Sequence, residues 1–201
     1  MSIAHYFTFI RIFISPIFLL LYISHDYVGI SSTLLPYILI FLLAVSELSD
    51  AFDGYLARKY NQVTDLGKIL DPMADSISRL SVFLTFTQQP VNLPMPLIFL
   101  FLYRDSVVST LRTICALKGF ALAARTSGKV KAGIQAVAAF IILGMMIPHS
   151  VGALSTYSLQ LWSAWIATVA AIYTVYSGFD YIYANREFVA RLLTLPPQTN
   201  R

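Results

Sequence analysis

Six apolar runs, each near the length of about 20 residues that a helix needs to cross a lipid bilayer, dominate this chain of 201 residues. They fall near 5–24, 34–57, 65–87, 94–117, 128–148 and 158–184. With 57% hydrophobic residues and a mean hydropathy of +0.70, the chain carries too much apolar surface for a water-soluble domain. The expectation is an all-α integral membrane protein with six transmembrane helices, because a helix satisfies its own backbone polar groups in hydrocarbon. Turn residues separate the runs at Ser24 to Asp26, Tyr60 to Gln62, Gln88 to Pro90, Lys118 to Gly119 and Pro148 to Ser150. No linker or composition shift divides the chain, so residues 1–201 are expected to form a single membrane domain. Met1 to Phe9 holds no Lys or Arg, and the first run is therefore expected to remain as a helix rather than act as a removable signal.

Basic residues orient the bundle, since short cytoplasmic connections collect Lys and Arg. The connections at 25–34, 88–96 and 148–158 hold none. Arg58, Lys59 and Lys68 flank the second connection, Arg112, Lys118, Arg125, Lys129 and Lys131 surround the fourth, and Arg186, Arg191 and Arg201 follow the sixth helix. Both termini are thus expected on the cytoplasmic side of the cell (inner) membrane. The net charge of +4 gathers on that face, where it suits anionic headgroups or a phosphorylated substrate better than nucleic acid. The single cysteine, Cys115, has no internal disulfide partner and reads as a small core residue.

Four aspartates set the chemistry. Asp50 and Asp53 stand three apart in the second run, and Asp71 and Asp75 four apart in the third, so each pair shares a helix face. Counting about 1.5 Å per helical residue from Pro36 and from Gln88 puts Asp50 and Asp75 at one depth, roughly 20 Å from the outer surface. Acids at such a depth are costly unless cations neutralise them. An all-oxygen donor set with no His or Cys nearby favours a hard divalent ion, magnesium or manganese before zinc, and a pair of such ions fits four carboxylates. Gly54 and Gly67 leave room for a ligand beside the acids, and Arg58 offers a fork to phosphate oxygens. Singly, Asp53-Gly54 is an ordinary turn signal and Asp71-Pro72 an ordinary helix start. Neither explains Asp50, Arg58 or Asp75 within apolar helical sequence.

The pattern DxxDGxxARx8GxxxDxxxD runs from Asp50 to Asp75 with every fixed position filled. In this the chain resembles the CDP-alcohol phosphotransferases, and the six-run layout extends the likeness over nearly its whole length. The resemblance implies an enzyme of phospholipid biosynthesis with a polar active-site cavity open to the cytoplasmic side, which moves a phosphatidyl group from CDP-diacylglycerol to an alcohol and releases CMP. It implies that Asp50, Asp53 and Asp71 hold a first divalent cation and that Asp50, Asp71 and Asp75 hold or border a second. Asp75 would be the general base on the acceptor hydroxyl. Gly54, Ala57 and Gly67 would line the cytidine and pyrophosphate pocket, with Arg58 and Thr64 on phosphate. A homodimer is a further implication.

Wording around the pattern, Thr8 with Arg11, and Ser127-Gly128-Lys129 with Lys131 and Gln135, resembles the branch of that family that uses glycerol 3-phosphate. A phosphorylated acceptor needs cations, and Arg104, Arg112, Arg125, Lys129 and Lys131 are the candidates. Their bland alternatives are an Arg104–Asp105 ion pair and plain topology signals. The chain departs from that branch at Ser76, Asp105 and His5, where Lys, Glu and Asn are usual, so phosphatidylglycerol and inositol phosphate stay open as acceptors. A cation transporter is the rival from another class, but the acids cluster towards one face and no inverted repeat is apparent. Along the sixth run, Trp162 and Trp165 suit an outer aromatic belt and Tyr181 and Tyr183 an inner one, in contact with membrane lipids. A short amphipathic stretch from Asn185, ended by Pro196 and Pro197, is expected on the inner surface.

Overall fold

The computed structural model describes residues 3–59, 65–117, 125–187 and 189–190, with side-chain surroundings for all of these except 3–9, 50, 51, 53–59, 65–72, 116 and 117. Six helices make up the regular structure: α1 (Ile3–Ser24), α2 (Leu35–Lys59), α3 (Asp65–Thr85), α4 (Met95–Leu117), α5 (Thr126–Ser150) and α6 (Thr156–Ala184). Each expected run falls on one helix. The turns expected at 60–62 and at Lys118-Gly119 lie outside the described residues.

Local chemistry explains the described boundaries. Ser31 Oγ accepts from the Leu34 amide at 3.3 Å, and Pro36 occupies the first turn of α2, where its missing N–H costs nothing. Gly29 turns the chain at φ +77°, a conformation a side chain resists. Ser155 caps α6 by accepting from the Ser158 amide at 3.1 Å. Buried Tyr22 ties the end of α1 to the α3–α4 connection, donating to the Gln88 carbonyl at 3.3 Å and accepting from the Val91 amide at 3.4 Å.

α1 packs against both α2 and α3, α5 against α6 and α2, and α4 against α6 and α3. The core is graded along the helix axes. At the end where α2, α4 and α6 begin it is apolar: Phe18, Phe83, Phe86 and Phe101 form a cluster of tilted and edge-on rings, with centroids 4.8–6.3 Å apart, backed by Leu39, Ile142 and Leu159. At the opposite end the buried side chains turn polar, with Arg11, Ser46, Ser49, Ser78, Lys131, Gln135, Thr174 and Ser177. A buried polar end needs internal partners, so that end is where chemistry is to be sought.

Large apolar side chains stand exposed on every helix, among them Phe13, Phe41, Ile77, Phe99, Val137 and Trp165. Such an apolar exterior suits lipid rather than water. α5 and α6 are each long and apolar enough to cross a membrane. Trp162 and Trp165 are exposed, as an aromatic belt requires, and so is Tyr183. Tyr181 differs from expectation. It is buried beneath Arg112, because two residues turn a helix by about 200° and put Tyr181 and Tyr183 on opposite faces. Beyond the Asn185 cap, Arg186, Glu187, Val189 and Ala190 are helical, and Pro196 and Pro197 lie outside the described residues.

Candidate active site

Two contacts set the register between α2 and α3. The Ser46 and Ser78 hydroxyls share a hydrogen bond of 3.1 Å, and Arg79 NH2 meets Glu47 Oε2 at 3.4 Å. α1 runs parallel to α3, since Arg11 lies by Asp75 at one end and Phe18 by Phe86 at the other. The hairpin at 25–34 reverses α2 against α1, so α2 and α3 are antiparallel. One turn on from Ser46 is Asp50, and one turn back from Ser78 is Asp75. A further turn brings Asp53 level with Asp71.

These positions follow, at helical spacing, on stripes of buried residues. On α2 the stripe passes from Leu39 and Leu43 through Ser46 and Ser49 to the positions of Asp50 and Asp53. On α3 it passes from Phe86 and Val82 through Ser78 to Asp75 and the position of Asp71. Two helices therefore change from apolar to hydroxyl to carboxylate over the same stretch, at the helical spacing. Four acid positions share two facing stripes. The side chains of Asp50, Asp53, Gly54, Ala57, Arg58, Gly67 and Asp71 lie outside the described residues, as does Thr64 altogether.

Asp75 is the described member of the set, with its side chain 31% exposed. Arg79, one turn along α3, donates from NH1 to Asp75 Oδ2 at 2.5 Å, and Arg11 NH1 lies 3.9 Å from Asp75 Oδ1. Neither Arg79 nor Glu47 is part of the acid pattern, and sequence reasoning passed over both. The available signal was the charge itself: an Arg and a Glu inside apolar helical sequence, one of them four residues from a motif acid.

The fixed positions of the acid pattern supply four carboxylates and no His or Cys, and carboxylate oxygens are the donors that hard divalent cations take.

A second polar cluster joins α4, α5 and α6. Buried Lys131 donates to both oxygens of Asp105, at 2.8 and 2.9 Å, and Arg104 NH1 meets Asp105 Oδ1 at 3.0 Å. The Arg104–Asp105 pairing weighed from sequence is present, and Asp105 also holds Lys131. Arg104 is accommodated by two glycines: a Cβ on Gly178 would stand 3.0 Å from its Cγ, and one on Gly128 3.6 Å from its NH2. Arg125 Nε lies 3.0 Å from Asp180 Oδ2, which also accepts from Ser127 Oγ. Arg112 lies over the Tyr181 ring at 5.2 Å, with Nε donating to its hydroxyl at 3.4 Å. Lys129 is exposed and makes no ion pair among the described residues. Of the five cations proposed for an acceptor phosphate, four thus have protein partners. Asp180 was a further residue that sequence reasoning missed.

The model of the CDP-alcohol phosphatidyltransferase family matches residues 1–176. The chain belongs to that family, and it is by that membership a phosphatidyltransferase. It is 32% identical over 146 residues to the CDP-diacylglycerol--glycerol-3-phosphate 3-phosphatidyltransferase of Bacillus subtilis, covering 73% of this chain and 72% of that protein. To the protein of the same name from Rickettsia bellii it is 31% identical over 187 residues, 93% of this chain and 97% of the relative. A probable phosphatidylglycerophosphate synthase of Mycobacterium tuberculosis is 29% identical over 181 residues, 90% of this chain and 80% of that protein.

Proposed function

We propose that this chain transfers the phosphatidyl group of CDP-diacylglycerol to glycerol 3-phosphate, giving phosphatidylglycerophosphate and CMP. The observation that carries the reading is the contact of Ser46 on α2 with Ser78 on α3, a register at which the helix positions of Asp50, Asp53, Asp71 and Asp75 follow within two turns. Relatives named for this reaction, matched over most of their length, support it. The six helices would all span the membrane as a single domain over residues 1–201. The acid cluster and both termini would face the cytoplasm from the cell membrane, and two copies would pair as a homodimer.

Asp50, Asp53 and Asp71 would hold one divalent cation, and Asp50, Asp71 and Asp75 a second. Magnesium or manganese bound there would neutralise pyrophosphate charge and stabilise the oxygen that leaves with CMP. Gly54, Ala57 and Gly67 would admit the nucleotide end of the lipid, with Arg58 and Thr64 on its phosphates. The acceptor hydroxyl oxygen bonds to the phosphorus that carries diacylglycerol, and the bond from that phosphorus to CMP breaks, its electron pair leaving with CMP. Asp75 takes the hydroxyl proton. The acceptor's own phosphate would meet Lys129 and Arg125 first, with Lys131, Arg104 and Arg112 behind them, held in place by Asp105 and Tyr181.

The test offers purified protein CDP-diacylglycerol with glycerol 3-phosphate, phosphatidylglycerol or inositol phosphate in parallel, and identifies the lipid formed alongside CMP. Phosphatidylglycerophosphate in the first arm alone, lost in Asp75→Asn, is the expected result. Product in another arm reassigns the acceptor. CMP release in none of them sinks the reading.

A further inference from the structure

We infer that Arg79, anchored by Glu47, is a positioning residue that orients the Asp75 carboxylate. The inference rests on the function proposed above, in which Asp75 receives the acceptor's proton, and adds to it two residues outside the acid pattern. Arg79 is 10% exposed at its side chain and reaches two carboxylates from two helices: Asp75 Oδ2 at 2.5 Å and Glu47 Oε2 at 3.4 Å. A planar guanidinium can bridge two acceptors in fixed directions, which a lysine ammonium cannot. With Oδ2 taken by Arg79 and Oδ1 lying 3.9 Å from Arg11 NH1, the two carboxylate oxygens are no longer equivalent. The carboxylate plane is set from behind.

The competing account is a plain ion pair tying α2 to α3. Two observations and one general consideration weigh against it. The contact of Arg79 with the motif acid within α3 is shorter than its contact with Glu47 across to α2. The neighbouring Ser46–Ser78 hydrogen bond already joins the helices at this level without charge. A buried ion pair is in any case a weak source of stability beside an apolar pair of the same volume. The void beside Arg79, lined by Glu47, Ser78, Gln135 and apolar residues, is about 10 Å³, room for one water at most. Among the described residues the space on that side is too small for a substrate, so the role inferred for Arg79 is to act through Asp75 rather than on the reacting atoms.

The test compares Arg79→Met, Arg79→Lys and Glu47→Gln with the parent protein in detergent. Each is measured for kcat, for KM of both substrates, for manganese binding by electron paramagnetic resonance, and for melting temperature. A misplacement of about 1 Å costs on the order of 100-fold in rate, so Arg79→Met is expected to lose about 10- to 100-fold in kcat. Its KM for CDP-diacylglycerol should stay within about threefold, because positioning is made only in the reaction and not in ground-state binding. Arg79→Lys should fall between, keeping the charge without the fork, and Glu47→Gln should lose least. Full kcat in Arg79→Met overturns the inference. So does an equal loss in all three variants that tracks melting temperature, since that is the signature of a structural tie. If the parent protein releases no CMP at all, the proposed function fails, and that result is distinct from an active parent with an indifferent Arg79.

Discussion

Ser46 on α2 and Ser78 on α3 meet through a 3.1 Å hydrogen bond between their hydroxyls, each one turn from an aspartate of the acid pattern. Both are buried, at 4% and 7% exposure, and their small size lets the two helices face each other at the depth where the acids follow. Removing the bond costs little: Ser78→Ala should lower stability by about 1 kcal/mol or less and leave the transfer rate within about twofold. Adding bulk is different. Ser78→Leu should destabilise by about 1–3 kcal/mol through overpacking and cut transfer by about tenfold or more, as the facing stripes are pushed apart. Melting curves in detergent and CMP release, compared between the two variants, check this.

The glycines around Arg104 make a paired prediction. Gly178→Ala places a methyl group 3.0 Å from Arg104 Cγ, so the arginine must shift, and a loss of about 1–2 kcal/mol is expected. Gly128→Ala meets Arg104 NH2 at an ordinary 3.6 Å and gains helix propensity, so its melting temperature should equal or exceed the parent's.

Asp105 carries the charge balance of the second cluster. Asp105→Asn leaves buried Lys131 and Arg104 without a counter-charge and should destabilise by about 3–5 kcal/mol. The double variant Asp105→Leu with Lys131→Met should regain part of that stability, because it removes the charge of Lys131 together with its partner while Arg104 keeps its charge. Its KM for glycerol 3-phosphate should remain raised, by about tenfold or more, if Lys131 serves the acceptor phosphate. A double variant with the parent's KM would assign Lys131 to structure alone.

Chelation should abolish CMP release, and added magnesium or manganese should restore it. Asp50→Asn and Asp71→Asn should each weaken manganese binding by about tenfold or more, measured by electron paramagnetic resonance on folded protein. Binding unchanged in both variants would remove the metal assignment.

Orientation is open to labelling. Cys115 is buried, so Cys115→Ala gives a quiet background for single cysteines. In intact cells Tyr27→Cys, in the α1–α2 connection, should react with an impermeant maleimide, and Thr126→Cys, at the start of α5, only after permeabilisation. The reverse pattern would invert the proposed topology.

Much of the fold was legible because a long apolar helix is a local object: its length, apolarity and flanking turn residues appear in sequence order. The six runs, the small core role of Cys115 and the spacing that places Asp50, Asp53, Asp71 and Asp75 on helix faces all follow from that. The Arg104–Asp105 pair was visible as adjacent charges. Tyr181 was misassigned to a lipid-facing belt because its chemistry matches Tyr183 while its face of α6 does not.

By itself the sequence determined that the chain is helical and membrane-like, that four acids occupy helix stripes, and which family they mark. Only the tertiary structure decided that Glu47 reaches Arg79, that Arg79 holds Asp75, that Asp105 secures Lys131, and that Asp180 gathers Ser127 and Arg125. The physical reason is that helix formation depends on neighbours three and four residues away, whereas pairing between helices depends on register and rotation. Those are set by the summed packing of distant side chains, and no local period in the chain records them.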